Sequence, residues 1–149
     1  MKVNLISAAL LAASFALPAA ASPTSCDNVA GNWKNNLGAT ISFDTVDETT
    51  GQIVGRYFPS SMPERAFPLT GFTNANGKTE GEQHYAVTVS FAVSFQEFGG
   101  ITSWTGICRM AKNENGETPL IETEDLIVAP MADYVWSHVI ANHDTLRPQ

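Results

Sequence analysis

Between Tyr85 and Phe95 the chain alternates without a break. Tyr85, Val87, Val89, Phe91, Val93 and Phe95 fall on one face, and Ala86, Thr88, Ser90, Ala92 and Ser94 on the other. Successive side chains of a strand point to opposite sides, so a segment with this period can bury its apolar half only inside a sheet. Shorter alternations separated by turn residues recur along the chain, and no long run carries a helical period. Strands are expected at about 30–36, 39–46, 52–58, 66–73, 83–96, 101–111, 118–128 and 135–146, with breaks at 47–51, 59–63, 74–78, 99–100, 113–116 and 130–131. Asn76-Gly77 and Asn115-Gly116 are hairpin signals, since a type I′ turn needs positive φ at both central positions. The expected fold is all-β: an eight-stranded antiparallel up-and-down β-barrel, because closure removes the exposed edges of a sheet. A two-sheet sandwich is the competing architecture. A barrel of this size can hold one small ligand in its mouth.

Residues 1–21 are set apart from this pattern. Lys2 precedes a short apolar run, LISAALLAASFAL, and Ala19-Ala20-Ala21 supplies small residues for cleavage, the layout of a secretory signal peptide. The run is shorter than the roughly 20 residues a spanning helix needs. The domain is then 22–149, 128 residues, enough for one core. Its 7 Lys and Arg against 15 Asp and Glu give a formal charge of −8. Such a surface repels phosphate backbones and anionic lipid, so neither nucleic acid nor membrane is an expected partner. Cys26 and Cys108 are the only cysteines; export favours pairing them, and two buried thiols are the alternative. No glycosylation sequon is present.

The stretch 31–40, GNWKNNLGAT, puts Trp33 and Asn35 two residues apart, so a strand there turns an indole and an amide to one side. With GQIVGRY (51–57), FPLTGF (67–72), SWTGIC (103–108) and WSHVIANHDT (136–145), it resembles the avidin and streptavidin family of biotin-binding barrels, with five motifs in the same order and spacing over about 26–146. The cysteine pair also falls where avidin carries its intramonomer disulfide. The resemblance implies an eight-stranded barrel with a pocket for the ureido ring of biotin, a ligand rather than a cofactor. A ureido group offers one carbonyl acceptor and two N–H donors, so its site needs convergent donors flanked by acceptors. By similarity Asn35 and Tyr57 donate to the ureido oxygen, and Asp144 accepts from a ureido N–H in a charge-assisted bond. Thr102 matches the hydroxyl that meets the ring sulfur, Trp104 an apolar wall, and Trp136 the tryptophan that caps a neighbouring subunit's ligand. Leu37, Ala39, Phe95, Asp125 and Ile127 complete the implied ligand-binding set, while Trp33 is taken as core. A homo-oligomer is expected, dimer or tetramer, through the small outward face of the fifth strand and the Val139, Ala141, His143 face of the last.

Several positions depart from the family pattern. Ala39 stands where streptavidin has a serine donor, Phe95 replaces a wall tryptophan, and the loop at Pro59-Ser60 is altered, leaving Ser60 or Ser61 as the acceptor of a ligand N–H. Asp125 occupies a position where the family places a tryptophan. Three readings stay open: a one-residue slip turns it outward, the pocket takes a ligand with an extra donor or a cation, or biotin binding is lost. Affinity below that of the tight binders follows from the missing contacts. Two other functions compete. A secreted barrel enzyme of isomerase or cyclase type would draw on Asp125, Asp144 and one of His84, His138 or His143, although no catalytic or metal motif is present. A binding module for a protein or sugar would use the barrel only as a scaffold.

Overall fold

A computed structural model describes residues 22–74, 86–114 and 116–149 and realises the alternation as a closed barrel. The strands are β1 (Gly31–Lys34), β2 (Thr40–Val46), β3 (Gln52–Phe58), β4 (Phe67–Thr73), β5 (Val87–Phe95), β6 (Gly100–Asn113), β7 (Gly116–Val128) and β8 (Val139–Pro148). Each pairs antiparallel with the next, and β8 returns to β1 through Trp33 opposite Pro148 and Lys34 opposite Arg147. Every strand therefore has two neighbours, as the up-and-down expectation requires, and the sandwich is excluded. The expected leader, His84, Tyr85 and the Asn76-Gly77 turn lie outside the described residues, as does Asn115; its neighbour Gly116 closes the β6–β7 ladder opposite Asn113 at φ 123°.

On β5, Val87, Val89, Phe91 and Val93 are buried while Thr88 and Ser90 face out, the two sides assigned from the sequence. The inward residues form one core in which aromatic rings touch in sequence. Trp33 packs on Phe43 at 6.5 Å, Phe43 meets Phe91 edge-on at 5.2 Å, and Phe91 stacks on Trp104 at 5.0 Å. Each such pair contributes roughly 0.5–1.5 kcal/mol beyond the area it removes from water. Trp33 is fully buried and its indole N–H donates to Val29 O at 2.9 Å, so it is core. Strong coiling brings backbones close together at inward glycines. A Cβ on Gly55 would stand 2.0 Å from Ser42 O, and one on Gly71 2.2 Å from Ser90 O, so neither position admits a side chain without separating the strands.

Several strand limits differ from expectation by a few residues, and two of them have a local cause. β1 stops at Lys34 rather than 36, because Asn35 begins a tight turn in which its N–H donates to Ala39 O and Gly38 takes φ 80°. The last strand begins at Val139 rather than 135, since residues Val135–His138 form a short 3-10 turn. Four residues there mimic a strand's apolar content, and period alone does not separate the two.

Cys26 and Cys108 form a disulfide that ties the segment before β1 to β6 across 82 residues of sequence. In the chain-entropy account a loop of this length is worth about 4–5 kcal/mol. Cys26→Ser is expected to lower stability by a large part of that, read as a drop in the urea midpoint, with reductant producing the same drop in the parent and no further change in the variant.

Candidate functional site

The turns that link β1–β2, β3–β4, β5–β6 and β7–β8 surround one end of the barrel, and a cavity of about 240 Å³ opens there. Asn35 and Leu37 reach it from the β1–β2 turn, Tyr57 from the end of β3 and Phe95 from the end of β5. Thr102 and Trp104 come from β6, Asp125 and Ile127 from β7, and Asn142 and Asp144 from β8. Period two explains the assembly. Thr102 and Trp104, Asp125 and Ile127, and Asn142 and Asp144 are each two residues apart and so share the inward face.

The polar end is built around Asp144. Its Oδ2 accepts from Asn35 Nδ2 at 2.8 Å, and its Oδ1 accepts from the backbone N–H of Asn36 at 3.1 Å and of Thr145 at 2.8 Å. Asn35 is fixed in turn, because its Oδ1 accepts from Leu37 N–H at 3.1 Å and Ala39 N–H at 2.8 Å. The amide oxygen is thereby spent inside the turn, and one of the two Nδ2 hydrogens remains for a ligand acceptor. The half-buried phenol of Tyr57 has no protein hydrogen-bond partner among the described residues and lies between Phe95 at 5.6 Å and Trp104 at 5.7 Å. Burial, then the carboxylates of Asp144 and Asp125, push its pKa up. It stays protonated, a donor.

Nine of the implied ligand-binding residues thus line one cavity: Asn35, Leu37, Tyr57, Phe95, Thr102, Trp104, Asp125, Ile127 and Asp144. Two do not. Ala39 is 1% exposed, with its N–H committed to Asn35. Trp136 stands 77% exposed on the 3-10 turn, stacked on Tyr134 at 4.9 Å, outside the cavity of its own barrel. Ser60 and Ser61 are exposed and also outside it. Asn142 was missed by sequence reasoning, although its parity with Asp144 carried the signal.

Asp125 is 3% exposed and sits directly between Trp104 on β6 and Asn142 on β7's other neighbour, β8. The slipped register that would turn it outward is therefore excluded. No protein group among the described residues bonds its carboxyl, and its Oδ1 and the Trp104 indole N–H are buried polar atoms without a partner. Burial foremost, then Asp144 and Glu124, push the Asp125 pKa up, against a smaller opposing effect of His143. The two described histidines do not approach: His143 faces outward to Glu124 at 3.1 Å, and the ring of His138 meets Ala129 O at 2.8 Å. Among the described residues no histidine lines the cavity.

Comparison with known proteins agrees with this geometry. The model of the avidin family matches residues 23–148. No curated protein sequence matches the chain. Among solved structures it is similar to xenavidin, with 27% identity over 82% of this chain and 97% of that one and a TM-score of 0.63. A biotin-binding protein from chicken shares the fold at 20% identity, 84% and 99% coverage and a TM-score of 0.65, and core-bradavidin at 22%, 79% and 97%, and 0.58.

An unpartnered carboxyl in this position costs stability when ionised. Because its folded pKa is raised above the ordinary 3.8, the fold gains stability as pH falls through the window between the raised value and 3.8, and the cost is fully present above that window. Asp125→Asn removes the charge at nearly constant volume. It is expected to raise stability at pH 7 by on the order of 1 kcal/mol, a few degrees in Tm, with the gap closing towards pH 4. Thermal melts of both proteins at the two pH values check it; a variant less stable than the parent at pH 7 would contradict the account.

Proposed function

The chain belongs to the avidin family, and from that premise we propose that it is a secreted protein that binds biotin or a closely related small ligand noncovalently in the barrel cavity, without catalysis and without a cofactor. The observation that carries the reading is the convergence of Asn35, Tyr57 and Asp144 at one end of one cavity. A spare amide N–H and an unpartnered phenol O–H supply two donors for a carbonyl oxygen, and the Asp144 carboxylate beside them accepts from an adjoining N–H. A cyclic urea has this pattern of one acceptor flanked by donors. Thr102, Phe95, Trp104, Leu37 and Ile127 offer the apolar wall and hydroxyl that a sulfur-containing ring and its alkyl chain would meet.

The same contacts argue for affinity below that of the tightest family members. Ala39 carries no hydroxyl to donate, Ser60 and Ser61 stand away from the cavity, and Asp125 replaces apolar contact with a charge. Each missing hydrogen bond costs roughly 1–3 kcal/mol, so two or three such losses weaken binding by several powers of ten.

Residues 1–21 serve in this reading as a cleaved signal peptide, and the disulfide fits an oxidising compartment. No helix among the described residues is long and apolar enough to cross a membrane. Exposed Val128, Val139 and Trp136 at the β7–β8 side support self-association, in which Trp136 would lie against a neighbouring barrel.

Isothermal titration with biotin tests the proposal: saturable binding at one ligand per chain is expected. Asp144→Ala should weaken it by about tenfold to a hundredfold, the value of a charge-assisted hydrogen bond, while circular dichroism retains the β spectrum. Unchanged affinity in that variant would remove Asp144 from the site.

A further inference from the structure

The Asn35, Tyr57 and Asp144 end uses only part of the polar surface that the cavity presents. The barrel rungs place the remainder. Thr123 pairs with Asp144, Asp125 with Asn142, and Ile127 with Ile140, so Asp125 and Asn142 form the next inward rung toward the mouth. One such step along a strand is about 6.5–7 Å. Asp144 has three protein donors, whereas Asp125 and the Asn142 amide have no protein partner among the described residues. Among the described residues no Lys or Arg lines the cavity to balance the two carboxylates. Trp104, opposite Asp125 in the β6–β7 ladder, lines the same cavity with Tyr57 and Phe95. A buried carboxylate with an amide at its side is an environment that favours an organic ammonium. The carboxylate supplies the counter-charge, and the amide oxygen takes a further N–H. A neutral, wholly apolar ligand would leave that carboxylate buried and unpaired.

We propose that Asp125 and Asn142 form a second polar subsite that takes a primary ammonium, so that the ligand favoured by this pocket joins a neutral cyclic urea to a cationic amine about one strand rung away. The inference rests on the cyclic-urea reading of the Asn35, Tyr57 and Asp144 end and adds the chemical class of the substituent. Of the titratable groups on the neighbouring elements, Glu124 and His143 face outward from β7 and β8, and Asp144 and Tyr57 are inside. None of them brings a cation into the cavity.

Two fragments differing only in charge test it: the cyclic urea imidazolidinone bearing an aminomethyl group, and the same ring bearing an ethyl group. Both are titrated at pH 7 into the purified protein and into Asp125→Asn, followed by NMR chemical shifts, with biotin as a third ligand. The protein is expected to bind the ammonium fragment at least about tenfold more tightly than the ethyl fragment, and Asp125→Asn should bring that ratio close to one. If biotin and both fragments bind but the ratio is near one in the parent, or is unchanged in the variant, the subsite is refuted and the cyclic-urea reading stands. If none of the three binds either protein, the cyclic-urea reading falls and the subsite falls with it.

Discussion

The carboxylate of Asp144 holds the seam at which this barrel closes. β1 is the shortest strand and meets β8 in a ladder of only two residue pairs, Trp33 with Pro148 and Lys34 with Arg147. Gln149 N–H prolongs the contact at one end by donating to Asn32 O at 3.0 Å. At the other end β1 has turned away, and its place is taken by side-chain chemistry, with Asp144 accepting from Asn35 Nδ2 and Asn36 N–H. An edge left open there would expose unpaired backbone groups in the cavity mouth. The group that completes the cylinder thus also fixes the amide that faces the cavity, so that closure and the proposed ligand contact share one set of hydrogen bonds.

Core and cavity are joined a second time through the rings. Trp104 stacks on Phe91, a core residue, while lining the cavity, and Tyr57 bridges Trp104 and Phe95. The cavity floor is therefore the upper surface of the hydrophobic core rather than a separate layer. Such walls are rigid, because moving one ring disturbs a chain of contacts that reaches Trp33 at the far end. A pocket of this kind is formed before a ligand arrives, and its selectivity is set by which atoms point inward.

Much of this was legible in the sequence, and for a physical reason. Alternation of period two fixes which residues face the interior, so the two faces of β5 and the shared inward direction of Asn142 and Asp144 were readable without coordinates. Resemblance in motif order located Asn35, Tyr57, Thr102 and Asp144, residues whose convergence depends on barrel closure and not on any local signal. What could not be read was set by register and by turns. Whether Asp125 faced in or out depended on a single-residue choice in β7 that its mixed sequence leaves open, and pairing with Trp104 and Asn142 decides it. The residues at 135–138 have strand-like composition but fold as a 3-10 turn, which places Trp136 outside the barrel. Ala39 aligned with a donor position, yet it is buried without a hydroxyl, and its backbone N–H and carbonyl are both bonded to Asn35.

Asp125 is where local rules and global fold disagree, and the disagreement is informative. Buried polar atoms in folded proteins nearly always have partners, and exceptions call for a cause. The described residues contain two such orphans, the Trp104 indole N–H and Asp125 Oδ1, on residues directly opposite each other in one ladder and lining one cavity. Orphans scattered through the core would read as poor packing. Paired on a cavity wall, beside an Asn35–Asp144 cluster that satisfies its own groups, they read as surface reserved for something the chain does not itself supply. A sequence under selection for stability alone would place an apolar residue at 125, since an unpaired carboxyl there weakens the fold. Its presence in a barrel otherwise well satisfied fits the ligand proposed above, whose cation would pair with the carboxylate when it binds.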